Sequence, residues 1–183
     1  TSVTVSKEIG SPITDEWGHS LFNASENLST TLDAWSNNPD FNLAVGERSK
    51  GYTWNTGFNV IGDVTDSFRV TQKASGQEGS HFVFESTHFT HKPASAGLEA
   101  GRLATSVSEV VEMRHDAKTG ATLFRSYTDQ NTVTKYSATG QALFQTTLHH
   151  ENGQTTKTED TVARKYDDFG RLSETSTTTT DAT

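Results

Sequence analysis

Lys165-Tyr166-Asp167-Asp168-Phe169-Gly170-Arg171-Leu172 is the stretch of sequence that decides the predicted fold. It places a basic residue and an aromatic ring at a strand end, then a short polar turn that Gly170 closes, then an apolar restart at Leu172. Glycine supplies the positive φ that a tight hairpin turn needs, because it carries no Cβ. The stretch therefore predicts two antiparallel strands joined by a short turn.

Two looser copies of this turn stand earlier in the second half of the chain. Residues 135–143 (KYSATGQAL) place a tyrosine before a turn that Gly140 closes, and residues 114–123 (RHDAKTGATL) close their turn at Gly120. The Asn-Gly pair at 152–153 is the strongest short hairpin signal in the sequence. Strands joined by such turns pair with their neighbours in chain order, which predicts an antiparallel meander.

The fold class predicted from these patterns is mainly β: an antiparallel β-meander forming a sandwich or barrel, with one short α-helix near residues 24–36. The helix is predicted from the apolar spacing of Leu28, Leu32 and Trp35, and the Asn-Asn-Pro-Asp run that begins at Asn37 ends it. All 183 residues are expected to form a single domain with three segments. These are an N-terminal strand and helix at 1–50, aromatic-rich strands at 51–105, and a hairpin-repeat sheet at 106–183.

The composition fits such a sheet and argues against several classes of function. Hydrophobic residues make up 31% of the chain, but serine and threonine fill the deficit rather than charge. Threonine is β-branched and favours pleated, half-buried surface, so the low hydrophobicity indicates a sheet with one solvated face. A net charge of −8 argues against binding of nucleic acid through its phosphates. No apolar run approaches the roughly 20 residues that a membrane-spanning helix needs.

The absence of cysteine and the first residue bear on cofactors and location. A chain without cysteine has no disulfides, no thiol nucleophile and no cysteine-ligated zinc. Such a chain suits a reducing compartment as well as a bacterial protein that is exported and folds without oxidation. Because the sequence begins at Thr1 rather than methionine, we expect a secreted or cell-surface protein, with the cytoplasm as the alternative. No cofactor is predicted.

The segment Tyr166-Asp167-Asp168-Phe169-Gly170-Arg171-Leu172 resembles the tyrosine–aspartate repeat of Rhs proteins, teneurins and insecticidal toxin complexes. In that family a Tyr-Asp-x-x-Gly-Arg-Leu turn joins successive strands of a long sheet that winds into a shell. The resemblance extends over residues 107–178. Within it, Ser137 stands where the second copy would have aspartate, and His115 stands where the first would have tyrosine. The resemblance implies hairpins at the glycines of these copies.

The spacing of the chemically active residues predicts neither a catalytic centre nor a metal site. His88 and His91 are the nearest to a ligand pair, but a three-residue spacing on a strand directs two side chains to opposite faces. Zinc or copper needs three or four converging ligands. There is no Gly-x-Ser-x-Gly nucleophile elbow and no phosphate-binding glycine loop. Acidic pairs such as Asp167-Asp168 suit glycoside hydrolysis only at the right separation, and acidic residues at turns usually form the turn.

Tyr52, Trp54 and Phe58 share one face of a predicted strand and allow two interpretations. They form the core, because a chain poor in leucine and isoleucine must bury aromatic rings, or they line a pocket for a small apolar ligand or a glycan. In the second interpretation, polar residues of a later predicted strand, Ser80–Phe89, complete the ligand-binding site and supply any acid–base chemistry. Those residues are His81, Glu85 and His88.

Taken together, these patterns favour a non-enzymatic, extracellular structural or surface-assembly protein, such as a fibre, sheath, tail or adhesin subunit. The N-terminal strand and the threonine-rich tail are expected at sheet edges, which are templates for pairing with another chain. We therefore expect a homo-oligomer or polymer formed by β-edge pairing. The residues expected in that interface are Val3, Val5, Thr177, Thr178 and Thr179. The alternative is a small-ligand-binding β-barrel with an aromatic pocket around Trp54, with or without enzymatic activity.

Overall fold

The computed structural model describes residues 2–75 and 79–182, and strands make up most of it. In chain order the elements are β1 (Ser2–Glu8), β2 (Ile13–Thr14), β3 (Ser20–Thr31), α1 (Leu32–Asn37), β4 (Glu47–Phe58), β5 (Val64–Ser75), β6 (Gly79–His91), a 3₁₀-helix (Ala94–Glu99), β7 (Leu103–His115), β8 (Thr122–Tyr136), β9 (Ala142–Glu151), β10 (Gln154–Asp160), β11 (Lys165–Tyr166), β12 (Leu172–Glu174) and β13 (Thr177–Asp181).

The main sheet contains eleven strands in the order β1-β3-β4-β5-β6-β7-β8-β9-β10-β13, with β2 pairing with β3. Strands β11 and β12 form a separate two-stranded sheet. Most strands thus lie beside their predecessor in the chain, as short turns require. The predicted mainly β, antiparallel meander is confirmed. The order is open, with β1 and β13 each paired on one side among the described residues, so it does not support the barrel alternative.

The α-helix begins later than the sequence pattern predicts. Residues 20–31 form β3 instead, and the helix is confined to residues 32–37. On β3, Leu28 shares a buried face with Ala24 and Thr30. The spacing of Ala24 and Leu28 therefore satisfies the two-residue period of a strand as well as a helical period. Because β3 pairs with β1 on one side and β4 on the other, long-range hydrogen bonds outweigh the local helical pattern.

The chain divides into two compact units, and the first consists of Thr1–Gly57, Ser67–Glu85 and Val111–Arg125. Its centre is Leu28, whose side chain is 0% exposed. Val5 of β1 stands opposite Leu28 in the strand register. Gly46 packs so closely on this region that an added Cβ would collide with the carbonyl oxygen of Ser29. The first unit is therefore organised around Leu28, beside which Ala24 is also buried.

The second unit consists of Phe58–Asp66, Ser86–Val110 and Ser126–Thr183. Its buried apolar side chains include Val110 and Val133. A buried hydrogen bond of 2.8 Å also joins the hydroxyls of Thr87 and Ser108. Polar groups thus occupy interior positions of this unit, where they must be hydrogen-bonded to be tolerated.

Candidate functional site

Three aromatic rings on neighbouring strands of the first unit form what we call the aromatic row: Phe22 on β3, Trp54 on β4 and Phe68 on β5. Phe22 pairs with Trp54 across the strands, with ring centroids 5.2 Å apart, and Trp54 lies 5.9 Å from Phe68. Tyr52 extends the row along β4, with its ring 6.4 Å from that of Trp54. Trp54 is 37% exposed and Phe68 is 38% exposed, so part of each ring faces solvent.

The structure divides the predicted pocket residues between the two units. Those in the first unit are Tyr52, Trp54, His81 and Glu85, and those in the second are Phe58 and His88. Both histidines predicted for the pocket have a carboxylate neighbour: His81 Nε2 lies 3.7 Å from Glu112 Oε2, and His88 Nδ1 lies 2.8 Å from Asp66 Oδ1. The hydrogen bond from His88 holds the pKa of Asp66 below its ordinary value. Within the described ranges, no three His, Asp or Glu side chains are grouped so that they could hold a metal.

The residues predicted for assembly lie on β1 and β13. Val3 and Val5 of β1 stand opposite Thr30 and Leu28 of β3. Residues 177–179 lie on β13, which pairs with β10 of the same chain. The threonine-rich tail therefore adds a strand to its own sheet.

One turn geometry recurs at six places, and we call these segments the glycine turns. In each, the N–H of the first residue donates to the carbonyl of the last residue. A glycine stands directly before the last residue, and its N–H donates to the carbonyl of the first residue of the turn. The two bonds in each of the six segments have donor–acceptor distances of 2.8–3.1 Å. Each of these glycines has a φ between 69° and 93°, which a side chain would resist. The segments are 15–19, 59–63, 92–102, 116–121, 137–141 and 167–171.

In most glycine turns the side chain of the first residue also accepts hydrogen bonds from backbone N–H groups of the turn. Asp167 Oδ1 accepts the N–H groups of Phe169 and Arg171 at 3.0 and 2.9 Å. Asp15 and Asn59 accept two backbone N–H groups in the same way. The pKa of Asp167 lies below its ordinary value because its carboxylate accepts these hydrogen bonds, above all the one from the backbone N–H of Arg171 and also the one from Phe169. A short polar side chain thus satisfies N–H groups that lack a carbonyl partner within the turn.

Three consecutive glycine turns of the second unit are stacked, with a side chain of one turn covering the glycine of the next. Arg102 lies beside Gly140, where an added Cβ would stand 3.6 Å from the guanidinium carbon. Gln141 lies beside Gly170 in the same way, since an added Cβ on Gly170 would stand 3.4 Å from Gln141 Nε2. Arg102 Nη1 also donates to the carbonyl of Ser137 at 2.8 Å. We call the turns at 92–102, 137–141 and 167–171 the stacked series.

The tyrosines that precede two turns of the stacked series tie each turn to the previous hairpin. The Tyr136 hydroxyl donates to the carbonyl of Leu103 at 2.7 Å, and the Tyr166 hydroxyl donates to the carbonyl of Ala142 at 2.6 Å. Arg102 lies over the Tyr136 ring at 5.2 Å, and burial raises the pKa of this phenol. The aromatic residue of the sequence motif therefore has a structural role in both copies.

A buried carboxylate that the sequence did not reveal joins several segments of the second unit. The side chain of Asp160, 1% exposed, accepts from Arg164 Nε at 2.8 Å and from the N–H of Gln145 at 2.7 Å. It also accepts from the Thr175 hydroxyl at 3.1 Å. Arg164 Nη1 donates in turn to Gln145 Oε1 at 2.9 Å. The partners lie up to 15 residues away in the chain, so local spacing carried no signal of this site.

Sequence reasoning also missed the glycine turns at 15–19 and 59–63. It required a basic and an aromatic residue before the turn. The segment 15–19 has neither, and the segment 59–63 has the aromatic Phe58 but no basic residue before it. The signal that finds them is an aspartate or asparagine three residues before glycine. Asp-Glu-Trp-Gly and Asn-Val-Ile-Gly share it with Asp-Asp-Phe-Gly at 167–170.

None of the helices in the described part of the chain has the length and apolar character to cross a membrane. Comparison of the chain with protein-family models, with curated proteins and with solved structures finds no match. The functional conclusion therefore rests on the glycine turns, the aromatic row and the sheet edges.

Proposed function

We propose that the chain is a non-enzymatic, extracellular structural module, a sheet built on Rhs-type hairpin turns that assembles by strand pairing at its edge. The observation that carries the proposal is the stacked series, because its turns contact one another rather than surround a substrate. Three residues of the best motif copy each have a structural partner. The Tyr166 hydroxyl bonds the previous hairpin, Asp167 holds the turn, and Gly170 lies beneath Gln141.

Strand β13 offers the edge at which such a sheet can extend. Ala182 donates its N–H to the carbonyl of Thr155 of β10 at 2.8 Å. Because bonded pairs alternate along antiparallel strands, the backbone groups of Thr177 and Thr179 point away from β10. Among the described residues, no strand pairs with that side of β13. An exposed strand of this kind is a template for a further strand.

Light scattering combined with negative-stain imaging tests the proposal, and we expect particles larger than the 20.0 kDa chain. Thr179→Pro removes an outward N–H without removing a backbone bond to β10, so it should lower the assembled fraction. It also removes the hydroxyl contact with Thr158 of β10, as Thr179→Ala does. Thr179→Ala keeps that N–H and is the matched control. A monomer at every concentration, or equal loss of assembly in both variants, would contradict edge pairing.

The aromatic row favours a second candidate function, the binding of a small apolar ligand. Its solvent-facing rings offer flat apolar surface on three adjacent strands. Titration of the protein with an apolar fluorophore such as ANS should show binding that Trp54→Ala weakens. Trp17→Ala, at a residue 76% exposed and outside the row, is the control. Equal binding by both variants would remove this candidate.

A further inference from the structure

A hydroxyl-lined depression with two exposed cations lies on one face of the first unit, and we call it the basic depression. Its volume is about 470 Å³. Strands β1, β3, β4 and β5 all contribute to it. Its principal lining residues are Thr4, Asn27, Ser29, Ser49, Arg69 and Lys73.

Arg69 and Lys73 give the depression its positive charge. Both are exposed, and their spacing of four residues on β5 places them on the same face of the sheet. Among the described residues, neither forms an ion pair. Arg48 also lines the depression, but its Nη1 lies 3.8 Å from Glu26 Oε1 and its Nη2 donates to the carbonyl of Phe41 at 2.6 Å. The charge available to a ligand is therefore that of Arg69 and Lys73.

Gly51 of β4 makes room for the Arg69 side chain. An added Cβ on Gly51 would stand 3.4 Å from Arg69 Nη2 and 3.5 Å from the hydroxyl oxygen of Ser25. The guanidinium therefore lies across the strand, close to the hydroxyl-rich surface, rather than extending away from it. An arginine held in this way presents its planar set of N–H donors to an oxyanion.

We propose that the basic depression binds an extended acidic oligosaccharide. Two exposed cations that form no ion pair among the described residues select an anionic ligand by local charge complementarity. Positions four residues apart on a strand are separated by about 13 Å, so a ligand that reaches both cations carries more than one acidic group. The side chains of Asn27, Ser29 and Ser49 supply donors and acceptors that match sugar hydroxyls.

One carboxylate in the depression disfavours an anionic ligand, and its removal provides a second test of the proposal. Glu47 lines the same depression and repels an anion. The site is also distinct from the aromatic row. Asn27 stands opposite Ser49 and Phe22 stands opposite Trp54, and the difference in parity puts the two pairs on opposite faces of β3 and β4. Binding here does not depend on edge pairing at β13, so Thr179→Pro should leave the affinity unchanged.

Isothermal titration calorimetry with a sulfated chondroitin hexasaccharide tests the proposal, with maltohexaose as the neutral probe. We expect binding of the sulfated probe alone, weakening as salt is raised. Arg69→Gln and Lys73→Gln should each weaken binding about tenfold, the size of one hydrogen-bonded charge. Glu47→Gln should strengthen it. Lys135→Gln removes the same charge from an exposed residue that does not line the depression, and it should leave affinity unchanged.

Four results would overturn the assignment. Equal affinity for maltohexaose would remove the role of charge, and equal losses in Lys135→Gln and Arg69→Gln would remove the role of this site. Inorganic sulfate binding as tightly as the hexasaccharide would show a simple anion site, and tighter binding of a DNA 12-mer would show a nucleic-acid site. The unfolding midpoint of each variant verifies that it is folded. We expect all of them to fold, because substitutions of exposed residues usually change stability little.

Discussion

Each of the two units of this protein is stabilised internally by a different kind of interaction. In the first, Leu28 is fully buried and Gly46 packs tightly on the same region. In the second, a buried carboxylate, Asp160, is satisfied by three donors, and the Tyr136 and Tyr166 hydroxyls bond to neighbouring hairpins. A chain with only 31% hydrophobic residues can therefore stabilise one part of a sheet by burial and another by satisfied polar groups.

Leu28→Ala should have the largest effect, because it empties the centre of the first unit. The expected loss in the free energy of unfolding is about 3–4 kcal/mol, from lost burial and the cavity left behind. Urea denaturation measures it. Leu123→Ala, at a residue 66% exposed in the same unit, is the control and should change stability little. Equal effects of the two variants would show that Leu28 is not the centre of the unit.

Asp160→Ala should be the most damaging change in the second unit. It leaves Arg164 without its carboxylate and the N–H of Gln145 without an acceptor, which should cost about 3 kcal/mol. Urea denaturation again gives the value, and Asp168→Ala at an exposed position of the same unit is the control. A cost as small as that of the control would mean that the polar network does not hold this unit.

Gly140→Ala tests the stacked series directly. Its φ of 93° disfavours any side chain, and the methyl group would meet Arg102, so we expect a loss of about 1–2 kcal/mol. Gly140→Asn should cost less, because asparagine tolerates positive φ better. Thermal unfolding of both variants gives the comparison. The reverse order would show that crowding by Arg102, rather than backbone conformation, dominates at this turn.

Acid should weaken the glycine turns of both units. The pKa values of Asp116 and Asp167 lie below the ordinary 3.8, because backbone N–H groups bond to these carboxylates. A carboxyl group with a depressed folded pKa stabilises the protein above its unfolded pKa, and that contribution is lost as pH falls through the folded value. Stability in urea should therefore fall below about pH 4. An Asp116→Asn/Asp167→Asn variant should show a shallower fall, and an identical fall would contradict the assignment.

The smallest expected effect is a loss of stability as pH rises, opposite to the acid effect, and it arises in the second unit. The hydrogen bond between His149 Nδ1 and Asp129, 2.6 Å long, raises the pKa of His149 above 6.5. A raised folded pKa gives stability that is complete below the unfolded value and is lost as pH rises through the folded value. His149→Gln should remove this alkaline decline, with His150→Gln as the control. NMR titration of the His149 ring locates the pKa, and a value at or below 6.5 would contradict the expectation.

Features that depend on a few neighbouring residues could be predicted from the sequence. The turns at Gly120, Gly140 and Gly170 form hairpins with positive φ, as expected, because glycine and one polar side chain settle a turn within five or six residues. The mainly β class followed from the same local signals. The tyrosine before two of these turns was visible as a pattern, but its hydroxyl partners lie 24 and 33 residues away and could not be identified.

By itself, then, the sequence determined the strand-and-turn class, the positions of the hairpin glycines and the charge that argues against nucleic acid. Tertiary structure decided what depends on partners distant in the chain. It turned residues 20–31 into a strand between β1 and β4, and it paired the threonine-rich tail with β10. It also gathered Asp160 with its donors, and it placed the predicted pocket residues in two different units. The physical reason is that strand pairing and burial act across long separations, where a local pattern fits more than one arrangement.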